Sequence, residues 1–70
     1  MKEMITAYLK DQYIIKDTDR IEYLCHEGQE DYKTISYTVF AKKCRKAYAI
    51  VTLDVDVVRM IVHNVSIEEV

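Results

Sequence analysis

Residues 47–65, Ala47-Tyr48-Ala49-Ile50-Val51-Thr52-Leu53-Asp54-Val55-Asp56-Val57-Val58-Arg59-Met60-Ile61-Val62-His63-Asn64-Val65, form the densest run of β-branched apolar residues in the chain. β-Branched side chains lose rotamer freedom in a helix and pack well on a pleated surface. The run is broken once, by Asp54 and Asp56, so it reads as two strands, about 47–53 and 57–65, folded back as a hairpin. The break holds no Asn-Gly or Asp-Gly pair, which leaves the turn type open.

Two more strands precede this hairpin. In Arg20 to Cys25 (strand 20–25), Ile21, Tyr23 and Cys25 alternate with Arg20, Glu22 and Leu24. In strand 32–40, Ile35, Tyr37 and Val39 alternate with Thr34, Ser36 and Thr38. Between them, residues 26–31 are polar and hold the only glycine, as a hairpin loop does. Residues 41–46 read as a short basic connection and Ser66 to Val70 as a polar tail. At the N-terminus Met1, Met4, Ile5, Tyr8, Leu9 and Gln12 recur at helical spacing and predict a helix over about 2–13. Glu3 near its start and Lys10 and Lys16 toward its end suit the helix dipole. The rival reading is a strand through Tyr13, Ile14 and Ile15, and Asp17-Thr18-Asp19 is a turn in either case.

Short connections make sequential strands neighbours and exclude parallel crossovers. The expected fold is therefore α+β, an N-terminal helix packed on a four-stranded antiparallel meander, in one domain spanning 1–70. Strand 47–53 is apolar on both sides, so both faces of the sheet are expected to be covered, and the helix stripe suffices for one.

Half of the 70 residues are hydrophobic, six are tyrosine and none is proline, which is far from a disordered composition. A chain of this size buries only about 60% of its unfolded surface, so a partner chain is one expected source of stability. Twelve acidic against ten basic residues give a net charge of −2 and a pI near 5.6, and no overall basic field. No secretory leader or membrane span is expected, and Cys25 and Cys44 lack a framework spacing. A cytoplasmic protein with reduced thiols fits these features.

Cys25, His26, Cys44 and His63 are the right elements for zinc at the wrong spacing, so no metal and no cofactor is expected. Cys25 is expected in the core beside Ile21 and Tyr23. Cys44, among four cations, is expected to have a lowered pKa and to be reactive. A Cys44–His63 dyad is the better of two pairings open to a catalytic reading. No G-x-S-x-G, phosphate-binding glycine loop or H-E-x-x-H appears, and the chain is expected not to be an enzyme.

In a meander the first and third loops share one end of the sheet. Glu27, Glu30, Asp31, Asp54 and Asp56 are thereby expected at one end, and Lys42, Lys43, Arg45 and Lys46 at the other. Tyr32, Tyr48, Ile50 and Ile61 are expected to share the second sheet face, and tyrosines on such a face read as a contact surface. Together these residues predict a protein-binding module, expected to be a homodimer. Small single-domain chains of this profile resemble accessory proteins of phages and mobile elements, including inhibitors of host defence complexes such as anti-CRISPRs. That resemblance implies an acidic surface competing with nucleic acid for a basic channel in a host nucleic-acid-handling complex. The alternative is a nucleic-acid-binding or regulatory β-sheet domain acting through the basic loop 42–46.

Overall fold

In the computed structural model all 70 residues are described. The chain runs α1 (Lys2–Asp11), β1 (Arg20–Gly28), β2 (Tyr32–Phe40), β3 (Ala49–Asp56) and β4 (Ile61–Glu69). The strands form one antiparallel sheet in the order β1-β2-β3-β4, a meander preceded by a helix, which makes the fold α+β as the sequence predicts. No helix is long and apolar enough to cross a membrane.

Helix α1 turns Ile5 and Leu9, one turn apart, fully into the core. It stops two residues short of the expected Tyr13, because Tyr13 takes a left-handed φ of 59°. The Tyr13 N–H donates to Lys10 O at 3.1 Å and the Ile14 N–H to Leu9 O at 2.9 Å. These are the two bonds of a Schellman closure, with tyrosine where glycine is usual. Ile14 then packs on the core and Ile15 is buried in it, so the β-branched pair is no strand.

Strand β2 has the bounds its alternation predicts. Strand β1 runs on to Gly28 and absorbs a bulge between Tyr23 and Cys25. The expected 47–53 and 57–65 are corrected to Ala49–Asp56 and Ile61–Glu69, with the turn at 57–60 rather than around Asp54. Asp54 stays inside the ladder because Thr34 Oγ1 donates to its Oδ1 at 2.7 Å and Asn64 Nδ2 to its Oδ2 at 3.4 Å. Asp56 opens the turn instead. Its Oδ1 accepts the N–H groups of Val58 and Arg59 at 3.0 and 2.9 Å, an Asx turn.

The face of the sheet toward α1 carries Ile21, Ile35, Tyr37, Val39, Ala49, Val51, Leu53 and Val55, which form one cluster with Ile5, Leu9 and Ile15. The helix lies against β1, so the same face thins toward β4. There Val62 and Val65 are half-buried and Ile67 is 45% exposed. Nothing covers the second face, contrary to expectation. The shift in strand bounds adds Asp54 and Asp56 to that face, so it is polar at its centre and has no need of a cover.

Candidate functional site: the uncovered sheet face

Strand register builds this face in rows. Tyr32, Asp56 and Ile61 form the first row, and Glu27, Thr34, Asp54 and Asn64 the second. Cys25, Ser36, Thr52 and Ser66 make the third, followed by Glu22, Thr38, Ile50 and Glu68, with Arg20 and Phe40 at the corner. Hydroxyls hold the centre together. Ser36 and Thr52 are hydrogen-bonded at 3.1 Å, and the Thr34–Asp54–Asn64 set occupies the next row. A shallow depression of about 540 Å³ lies among Cys25, Glu27, Thr34, Ser36 and Thr52.

Five carboxylates therefore stand on one open surface: Glu22, Glu27, Asp54, Asp56 and Glu68. The only ion pair in the molecule is Arg59 Nε to Asp56 Oδ2 at 3.9 Å, from an arginine side chain 77% exposed. A pair so long and so solvated offsets little charge. Arg20, at the corner, lies 4.7 Å above the Phe40 ring and donates to Ala41 O and Cys44 O at 3.2 and 2.8 Å. It is committed to the β2–β3 loop. The face is acidic.

The expected contact patch is dispersed. Tyr32 and Ile61 flank Asp56 in one row, but Ile50 stands three rows away beside Thr38 and Glu68. Tyr48 does not join them. Its hydroxyl donates to Asp19 Oδ2 at 2.5 Å, and Asp19, only 4% exposed, also accepts the Lys16 N–H at 2.9 Å. Burial first, and then the Asp19 carboxylate, push the Tyr48 hydroxyl up to about 12. This tyrosine fastens the α1–β1 connection to the start of β3. The sequence gives the turn at Asp17–Asp19 and no hint that a residue 29 positions later closes onto it.

The end-to-end charge separation is also corrected. Glu30 and Asp31 do sit in the β1–β2 loop, tied to the β3–β4 turn by the Val57 N–H donating to Asp31 O at 3.0 Å. Glu27, Asp54 and Asp56 lie on strands, not in loops. Glu68 and Glu69, opposite Ile50 and Ala49, join the end that carries the basic loop. The segregation runs from face to loop instead. In that loop Lys42, Lys43, Arg45 and Lys46 are all exposed. Of the neighbouring aromatics, Tyr37 is buried on the opposite face, Tyr48 is bonded to Asp19, and Phe40 at the start of the loop lies under Arg20.

Cys25 is turned out by the bulge and is exposed rather than in the core. Cys44 is exposed in the basic loop. His63 lies at the start of β4 with its ring 5.3 Å from that of Tyr32, at the end of the sheet remote from Cys44. The Cys44–His63 pairing is thereby excluded. No group of acidic, histidine or cysteine side chains is placed to hold a metal ion. On the helix side, a cavity of about 320 Å³ lies beside Tyr23, His26, Lys33 and Tyr37. There Tyr23 and His26 share a hydrogen bond, and burial, then the neighbouring Tyr23, raise the Tyr37 hydroxyl.

Comparison with protein-family models, with curated proteins and with solved structures finds no match to this chain.

Proposed function

We propose that this domain is a non-catalytic protein-binding module whose uncovered sheet face docks on a basic surface of its partner. The supporting observation is the set of five carboxylates on one face, only one of them paired with a cation. Neighbouring strands stand about 5 Å apart and alternate residues about 7 Å along each, so the charges form a two-dimensional grid. The hydroxyl-lined depression beside Glu27 suits a lysine or arginine side chain. Complementary fields of this kind speed encounter and select partners. The partner we favour is a nucleic-acid-handling complex, whose basic channel the acidic face would occupy in place of phosphates, as an inhibitor encoded by a phage or mobile element would. Two exposed, unpaired cysteines suit a reducing compartment, and we place the protein in the cytoplasm.

The test is capture on the immobilised domain from host lysate, with and without nuclease treatment, eluted in salt steps, with protein and 260 nm absorbance read in each fraction. A stoichiometric protein retained by the wild type, and lost when Glu22, Glu27 and Glu68 are all changed to glutamine, is the expected result. Nucleic acid that leaves early in the salt series, and is lost only when Lys42, Lys43, Arg45 and Lys46 are neutralised, would transfer the function to the basic loop.

A further inference from the structure

The outer edge of β4 is the less defended of the two sheet edges, its carboxylates confined to its last two residues, Glu68 and Glu69. It carries nine residues, Ile61–Glu69, with no proline and no lysine, and its one irregularity lies near its start, opposite Asp54 and Val55. Natural edge strands are usually blunted by lysine, proline or a bulge, because unpaired N–H and C=O groups invite another strand. The other edge, β1, is blunted, with a bulge in mid-strand and Arg20, Glu22, His26 and Glu27 along it.

Two bonds fix which backbone groups of β4 are free. The Val57 N–H donates to Asp31 O, so odd-numbered residues of β3 face β2 and even-numbered ones face β4. The Val70 N–H donates to Tyr48 O, which agrees: Asn64, Ser66 and Glu68 point inward, and Val65, Ile67 and Glu69 point their N–H and C=O outward. Val65 and Ile67 also carry their side chains on the helix-side face, at the margin that α1 leaves thinly covered.

We propose that β4 pairs antiparallel with β4 of a second copy of this chain, about a two-fold axis passing beside Ser66. In that register Val65 faces Ile67 of the second copy, twice, through outward backbone groups and apolar side chains on one face. Asn64 faces Glu68 of the second copy on the acidic face, and Glu69 falls opposite the irregularity at His63. No glutamate meets a glutamate. This self-complementary register, valine against isoleucine and amide against carboxylate with no like charges opposed, is what selects a second copy over an arbitrary strand. An axis perpendicular to the sheet keeps the faces in step, so the product is one eight-stranded sheet with both helices on one side and both acidic faces, continuous, on the other. The proposal does not rest on the partner reading above.

Sedimentation over a concentration series tests it, with far-UV circular dichroism and melting curves to confirm folding. The wild type is expected as a dimer that dissociates on dilution. Ile67→Pro removes an outward N–H and no bond within the chain, and is expected to be a folded monomer at every concentration. In a Cys25→Ser, Cys44→Ser background, Ser66→Cys is expected to form an intermolecular disulfide on mild oxidation, because non-hydrogen-bonded antiparallel pairs bring Cα atoms to about 4.5 Å. Ile61→Cys in the same background is expected to remain reduced. A wild type that stays monomeric at the highest concentration, or a folded Ile67→Pro that dimerises as the wild type does, overturns the pairing. A dimer in which Ser66→Cys fails to cross-link overturns the register.

Discussion

Tyr13 holds a left-handed backbone with 93% of its surface exposed, so it bears conformational strain and contributes no burial in return. That conformation costs a non-glycine residue about 1–2 kcal/mol, and glycine would recover most of it less its own entropy. Tyr13→Gly is expected to stabilise the fold by about 0.5–1 kcal/mol, read as a higher urea midpoint at unchanged slope. Tyr48 makes the opposite kind of contribution. Its hydroxyl stands at about 12 in the folded chain against 10.0 unperturbed. The protonated form is the one the fold favours, so this stability is complete below pH 10.0 and is lost as pH rises toward about 12. A urea midpoint that falls across that window in the wild type, and falls less in Tyr48→Phe, is the expected outcome. Neither residue was legible alone: Tyr13 looks like the end of a helical stripe, and Tyr48 looks like one more residue of a strand. Each is decided by a backbone or side-chain bond that no periodicity encodes.

The helix contributes two fully buried side chains, Ile5 and Leu9, with Met4 and Tyr8 packed half-buried beside them. Truncating a buried leucine costs about 2–5 kcal/mol. A 70-residue domain holds only about 4–10 kcal/mol in total at the usual stability per residue. Leu9→Ala is therefore expected to lower the melting temperature by at least about 8 °C, and to leave the chain partly unfolded at 37 °C. An unchanged melt would mean that the sheet is stable without its cover. The helix stripe and the alternation of β2 were readable because each buries one face at a fixed period. The β3–β4 turn was not, because two aspartates two residues apart look alike in sequence. Only the Thr34 and Asn64 side chains across the sheet distinguish Asp54, a ladder residue, from Asp56, a turn residue. The same shift of strand bounds changed the second face from an apolar surface to an acidic one.

For the molecule as a whole, net charge conceals the arrangement that matters. A balance of −2 comprises an acidic sheet face, a basic loop and mixed ends. The meander was legible from short connections, and with it the rough placement of the loops. Which carboxylates share a surface depended on register and on the β1 bulge, and neither is written in composition. If the face is the binding surface, affinity should depend on glutamates that make no side-chain bond within the fold, and not on the loop. Glu22, Glu27 and Glu68 are such residues, all exposed, whereas Asp54 is held by two neighbours and would confound the result. The decisive measurement is a titration of the captured partner against three proteins: wild type, the Glu22→Gln/Glu27→Gln/Glu68→Gln variant, and a variant with Lys42, Lys43, Arg45 and Lys46 all changed to glutamine. The acidic-face reading predicts a loss of about tenfold or more, about 1.4 kcal/mol, for the glutamate variant at unchanged melting temperature, and little change for the loop variant. Full affinity in the glutamate variant, with loss in the loop variant, would contradict it.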